Sequence, residues 1–301
     1  MAGVALWSGA LLCALPLALP FPSPFATAHA QDEVPFIVTP DEVTLAMLQL
    51  AQVKASDHVI DLGSGDGRIV ILAAKRFGAS GLGVEIVPEL VQRSLASAAQ
   101  AGVAARVDFR VQDLFETDLS RATVVTMYLN SELNLLLRPA LLALAPGTRI
   151  VSHDWNLGDW PPLRSVTMAV PKKEVGLDKR STVHLWVVPA RVGGLWCAPG
   201  VALRIDQRFD RFSATVRDLQ REREKAAAAR TGASAGPAAA VFDGQVEVDK
   251  LYAGQDARAA ATQFSVQGQN LVLDAGIGAM ARWVGVRFAR SMAAECAQIA
   301  S

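Results

Sequence analysis

From Thr39 to Pro189 two hydrophobic rhythms alternate along the chain. Five short apolar runs have strand length: His58–Leu62, Gly81–Ile86, Arg106–Val111, Ala122–Tyr128 and Arg149–His153. Between them, Gly67–Phe77, Pro88–Ala101 and Ser131–Leu144 carry apolar residues at helical spacing. A further helix is predicted from Thr39-Pro40-Asp41-Glu42, read as an N-cap threonine, a proline at the first helical position and a glutamate closing a capping box. Its apolar face is Val43, Met47, Leu48 and Ala51. Strand–helix alternation of this kind predicts an α/β fold, a Rossmann-like doubly wound parallel sheet. Two further runs, Ser165–Val170 and Thr182–Val188, flank a polar segment and predict a hairpin that makes one sheet edge antiparallel.

Beyond Gly193 the rhythm changes to period two. Val201, Leu203 and Ile205 alternate with Ala202, Arg204 and Asp206, and Phe212, Ala214 and Val216 with Arg211, Ser213 and Thr215. Further strands are expected over Val246–Leu251, Asn270–Leu273 and Trp283–Phe288. This predicts a small antiparallel β domain, a meander or partial barrel, over residues 191–301. A charged, alanine-rich insertion at about 217–237 reads as a solvated helix running into a loop. The α/β domain is assigned to 31–190.

Residues 1–30 read as a targeting segment. Val4 to Leu19 is mostly apolar, prolines follow, and Ala28-His29-Ala30 has the A-x-A form of a cleavage site. Export to the periplasm is therefore expected. No Lys or Arg precedes Lys54, so the positive n-region is missing, and an uncleaved anchor with membrane association through residues 4–26 is the alternative. The formal net charge is zero, without the basic excess of a nucleic-acid footprint.

The chemistry gathers at "VIDLGSGDGRI", residues 59–69, where a strand runs through glycines into a helix. Such loops usually cradle phosphate. Here, however, Asp61 sits two residues before Gly63, and the spacing Gly63-Ser64-Gly65-Asp66-Gly67 is not that of a dinucleotide fold. At about 4 Å and an effective dielectric of about 20, a carboxylate facing a phosphate costs about 4 kcal/mol. A ligand with an amino group and hydroxyls but no phosphate fits better, and S-adenosyl-L-methionine (SAM) is such a ligand. Asp61 would meet its cationic amino-acid end. Glu85, ending the second strand, would accept the ribose hydroxyls, and Asp113, ending the third, the adenine amino group. Acids at the ends of successive strands fall on the edge where open α/β sheets bind ligands.

With these residues in view, the segment 34–190 resembles a class I (seven-strand) SAM-dependent methyltransferase. "DLGSGDGRI" with the upstream "VPFIVTP" is similar to one branch, the lysine methyltransferases of the mitochondrial ATP synthase c-subunit and adenine nucleotide translocase with their bacterial relatives. The resemblance implies a cofactor site of Thr39, Asp61, Gly63, Ser64, Gly65, Glu85 and Asp113, with Pro35, Phe36 and Thr39 closing one side. The N/D-P-P-Y signature of nucleic-acid amino-methylating enzymes is replaced by Met127-Tyr128-Leu129-Asn130, against a DNA-base substrate. Candidate catalytic residues, over the ends of strands four and five, are Tyr128, Asn130, His153 and Asp154, with Trp155 nearby; His153 and Asp154 can equally cap the next turn, and Trp155 and Trp160 pack under the sheet edge. The acceptor is a protein lysine or a small molecule, in the second case with the β domain as lid or cradle. A third reading is a SAM-fold binding protein of the cell envelope without turnover. Two cysteines remain if residues 1–30 are removed, Cys197 and Cys296. In an oxidising compartment they would pair, or else stand as two small buried residues.

Overall fold

The computed structural model describes residues 36–175, 178–230, 239–254, 262–291 and 296. The expected targeting segment 1–30, with the apolar stretch 4–26, Pro35 and residues 231–238 lie outside the described residues. Among the described residues, no helix is long and apolar enough to cross a membrane.

The first half is a mixed seven-stranded sheet. Its strands are β1 (His58–Leu62), β2 (Ser80–Glu85), β3 (Val107–Val111), β4 (Val124–Met127), β5 (Arg149–His153), β6 (Arg164–Ala169) and β7 (Arg180–Val187), in the order β3-β2-β1-β4-β5-β7-β6. The first five run parallel, and β7 pairs antiparallel with both β5 and β6, giving the antiparallel edge hairpin. Helices α1 (Asp41–Leu50), α2 (Arg68–Phe77), α3 (Pro88–Gln100) and α4 (Ser131–Leu142) flank it. Their apolar faces cover both sides of the sheet: Met47, Leu48, Ile69 and Ala73 pack with Val59 and Val124, while Leu137 and Leu141 pack with Ile60, Val125 and Ile150. Strands buried on both faces must be apolar along their length, which is why "VIDL" and "VVTM" do not alternate. The chain winds outward from β1 to β3, then returns to lay β4 on the other side of β1. Between β1 and β4 lies the topological switch point, where a crevice opens at the C-terminal ends of the strands.

The expected N-cap of α1 is corrected. Pro40, not Thr39, occupies that position without a side-chain cap, and its carbonyl accepts from Val43 and Thr44. Thr39 instead lends its carbonyl to Arg68 Nη1 at 2.9 Å.

The second half closes fully. Strands β8 (Gly194–Ala198), β9 (Val201–Arg208), β10 (Arg211–Asp218), β11 (Ala239–Glu247), β12 (Lys250–Ala253), β13 (Gln263–Gln267), β14 (Asn270–Ala275) and β15 (Arg287–Ser291) form an antiparallel barrel, with β8 pairing both β9 and β15. Its core includes Trp196, Leu203, Ile205, Phe212, Leu251, Phe264 and Phe288. The charged helix α5 (Leu219–Ala229) is present between β10 and β11, buries no residue, and is capped by Asp218 accepting from Arg221 N. Cys197 on β8 is bonded to Cys296, with Cα atoms 5.6 Å apart. The run Val246–Leu251 is not one strand: it turns at Val248, whose φ is 55°. Trp283–Phe288 is likewise broken, with Trp283 ending a 3-10 turn before β15.

The barrel meets the sheet domain through hairpin tips. Val248 is the neighbour of Gly147, before β5, and its carbonyl accepts from Ala190 N at 2.7 Å. Phe209, between β9 and β10, stacks on Trp160 with centroids 5.8 Å apart and 13° between planes. These contacts lie by α4 and near the start of β5, not over the glycine loop, so they do not give the barrel the position of a lid.

Candidate functional site

The loop after β1 is shaped by glycines at positive φ, Gly63 at 72° and Gly65 at 54°. A Cβ at Gly63 would stand 2.9 Å from Leu129 of the neighbouring strand end, and one at Gly65 2.3 Å from the Phe36 ring. Both the backbone conformation and the space therefore demand glycine. Phe36, itself 43 % exposed, lies against this loop at Gly65.

Asp61 is buried, 2 % exposed, and Thr126 Oγ1 donates to its Oδ1 at 2.7 Å. Burial pushes its carboxyl up to about 7, with repulsion from Glu85 and Asp66 adding to it and the Thr126 hydrogen bond opposing. A carboxyl held this way gains from a cation. Burial acts to raise Asp66, but hydrogen bonds and charge from Arg68 outweigh it and hold its pKa low; its carboxylate pairs with Arg68 at 2.6 Å. Asp66 therefore closes the loop onto α2. Glu85 accepts from Gly65 N at 3.0 Å and from the amides of Ile86 and Val87 at 2.9 and 3.1 Å. It thus ties the glycine loop to the end of β2. Asp113 Oδ1 accepts from Phe115 N at 2.8 Å, capping a short 3-10 turn after β3. Ser64 Oγ is buried and, among the described residues, has no hydrogen-bond partner.

These residues fit SAM. The glycine cradle admits close approach, Asp61 offers charge to an ammonium, Glu85 and Asp113 offer acceptors at the next strand ends, and Ser64 Oγ is an unsatisfied polar atom within the loop. Thr39, another of the expected cofactor residues, has its carbonyl engaged by Arg68 of α2.

At the ends of β4 and β5, the structure brings Tyr128 and His153 together, ring centroids 3.9 Å apart. His153 is fully buried, its Nε2 2.9 Å from Ser181 Oγ. Burial lowers its pKa to about 4, the Asp154 charge opposing and Lys173 reinforcing the effect, so the ring is neutral at pH 7. Burial raises Tyr128, with the Asp154 charge adding to it. The other two candidates hold the chain. Asn130 caps α4, its Oδ1 accepting from Leu133 N at 2.9 Å. Asp154, at φ 60°, accepts from Thr182 N at 2.9 Å and from Lys173 Nζ at 2.6 Å. In this geometry the Asn130 side chain serves as a helix cap and that of Asp154 as a loop anchor. Trp155 is 45 % exposed beside them, while Trp160 is buried.

Four residues escaped the sequence reading: Thr126, Ser181, Lys173 and Asn134. Thr126 had a signal, a lone polar residue in the buried run "VVTM". So did Asn134, a fully buried amide on the apolar face of α4 that donates to Ser152 Oγ and to the carbonyls of Trp155 and Asn156. Nothing local marks Ser181 or Lys173, which arrive through the β6–β7 pairing.

The family described as ANTKMT methyltransferase domain matches residues 61–164. A protein-lysine N-methyltransferase of Saccharolobus islandicus (strain REY15A) is 42 % identical over 157 residues, 52 % of this chain and 94 % of that protein. The Mus musculus lysine N-methyltransferase of the ATP synthase c-subunit is 32 % identical over 155 residues, 51 % of this chain and 61 % of that protein. The solved structure of an RNA methyltransferase from Salinibacter ruber in complex with S-adenosyl-L-homocysteine is 47 % identical, with a TM-score of 0.47 over 52 % of this chain and 96 % of that one.

Proposed function

The chain belongs to the SAM-dependent protein-lysine N-methyltransferases, and on that premise we propose that it methylates the amino group of a lysine in a protein. SAM supplies an electrophilic methyl group on a sulfonium. What remains for the chain is to hold the cofactor, present the amine in line and see that the amine is neutral. Gly63, Ser64 and Gly65 receive the cofactor; Asp61 takes its cationic end, and Glu85 and Asp113 its hydroxyl and amino donors.

One observation supports the acceptor side beyond family membership. The end of β4 offers an uncharged aromatic side chain, Tyr128, backed by the buried, neutral His153 with ring centroids 3.9 Å apart and planes tilted by 31°. Neutralising a lysine of ordinary pKa at pH 7 costs about 4.6 kcal/mol. An apolar, uncharged wall lowers that pKa by desolvation, and the Tyr128 hydroxyl can accept from the amine without adding charge. Positioning then supplies much of the rate, because the transfer is an in-line displacement with a neutral leaving group.

Export or membrane association stays part of this reading. It is supported by the apolar segment 4–19 with Ala28-His29-Ala30 and by the Cys197–Cys296 bond, since disulfides persist in oxidising compartments. Fractionation of its own cells, with N-terminal sequencing, tests it: a soluble cytosolic protein retaining Met1 overturns it.

The functional test is methyl transfer from methyl-tritiated SAM to a lysate of cells lacking this protein. Label in the protein fraction, recovered after hydrolysis as methyl-lysine, is expected. Label confined to small molecules or nucleic acid, or SAM binding without transfer, overturns the assignment.

A further inference from the structure

The matched family domain, residues 61–164, does not include the barrel, and the barrel does not cover the cofactor loop. Its contact with the sheet domain nevertheless leads to the acceptor edge. The connecting piece is the strap 154–160, which leaves β5 beside His153 and descends along α4. At its upper end Asn134 Nδ2 holds the carbonyls of Trp155 and Asn156 at 3.1 and 3.3 Å. One helical turn lower, Arg138 donates to the carbonyl of Leu157 at 2.9 Å and to Asp159. At the lower end Trp160 lodges between Trp186, which donates from Nε1 to its carbonyl at 2.9 Å, and Phe209 of the barrel. Arg208, next to Phe209, pairs with the same Asp159 that Arg138 holds. Both arginines also lie over the Phe209 ring, at 5.5 and 5.7 Å.

We propose that Phe209 and Arg208 are positioning residues for methyl transfer: the barrel braces the strap 154–160 and so fixes Trp155, the exposed aromatic that the strap carries beside the acceptor wall of Tyr128 and His153. The inference rests on the acceptor reading given above. Of the two contacts the aromatic one dominates, because Arg208 is 75 % exposed at its side chain and an exposed ion pair holds little. Phe209 sits at φ 55° at the hairpin tip, a backbone cost for a bulky residue that its stack on Trp160 offsets. A strap held at both ends presents one conformation to the incoming protein; held only by α4, its lower end opens.

The test uses the full chain with Phe209→Ala, Phe209→Tyr and Arg208→Gln. In Phe209→Ala, amide exchange over 155–160 is expected to quicken roughly tenfold, with the amides of β1 and the glycine loop unchanged. With the labelled protein from the lysate as acceptor, KM is expected to rise about fivefold at unchanged kcat and SAM affinity. Phe209→Tyr restores both, and Arg208→Gln shows the same pattern more weakly, without risk to the fold. Unchanged exchange in the strap overturns the brace, as does faster exchange with unchanged KM, or an equal loss in kcat and SAM affinity. If the unaltered protein labels no protein at all, it is the lysine reading that fails, and the exchange measurement still decides whether the barrel holds the strap.

Discussion

At the scale of single residues the site turns on Asp61. A carboxyl raised to about 7 is protonated in the folded state at pH values where the unfolded chain has already ionised it. The folded state then binds more protons, so this group costs stability, not at all below about pH 4 and fully above about pH 7. The cofactor's ammonium favours the ionised form, so SAM affinity rises with pH through that same range. Asp61→Asn is accordingly expected to raise the melting temperature of the ligand-free protein at pH 8 while weakening SAM roughly tenfold or more. Calorimetry at pH 6 and pH 8 checks both, and the pH dependence of binding should vanish in the variant. Glu85 makes a different prediction, because its oxygens already accept from three backbone amides. Glu85→Ala should lose both a ligand for the ribose and the tie on Gly65, costing on the order of 1.5–3 kcal/mol in SAM binding. Equal affinity in a titration would remove it from the site.

At the scale of elements, α4 and the strap it carries decide the acceptor side. Asn130 is an N-cap, and Ser caps as well as Asn does. Asn130→Ser should therefore keep methyl transfer and stability, whereas Asn130→Ala should lose about 1 kcal/mol of stability by urea denaturation; loss of transfer in the Ser variant at full stability would return Asn130 to a catalytic role. Five parallel strands, four helices and the edge hairpin were legible because buried runs and helical spacing each fall to one period. Asp61, Glu85 and Asp113 could be singled out as candidates because strand ends carry ligands in such sheets. What could not be read is pairing at a distance. Ser181 and Lys173 reach His153 and Asp154 only through the register of β7. Val248 reads as strand because it is apolar, yet it is a hairpin tip whose side chain meets Gly147. The closing strand β8 likewise has too little alternation to announce itself beside β9 and β15.

At the scale of the whole molecule, a methyltransferase sheet carries a closed barrel that the disulfide ties shut, linking β8 to a position 99 residues on. Closing a loop of that length restricts the unfolded chain by about 4.7 kcal/mol in the chain-entropy account, less any strain. Reduction should lower the stability of the barrel by roughly 2–4 kcal/mol in denaturant, and with it the protection of the strap, while SAM binding at the opposite edge holds. Two free thiols in protein denatured straight from its own cells would show that the bond does not form there. The central claim, transfer of a methyl group to a protein lysine, is tested most directly by comparing lysine masses across the proteome of the parent cells and of cells lacking this chain. At least one lysine should carry about 14, 28 or 42 additional daltons in the parent (one to three methyl groups for hydrogens), lose them in the deletion, and regain them with the intact gene but not with Asp61→Asn. Lysine methylation identical in all four strains would contradict it.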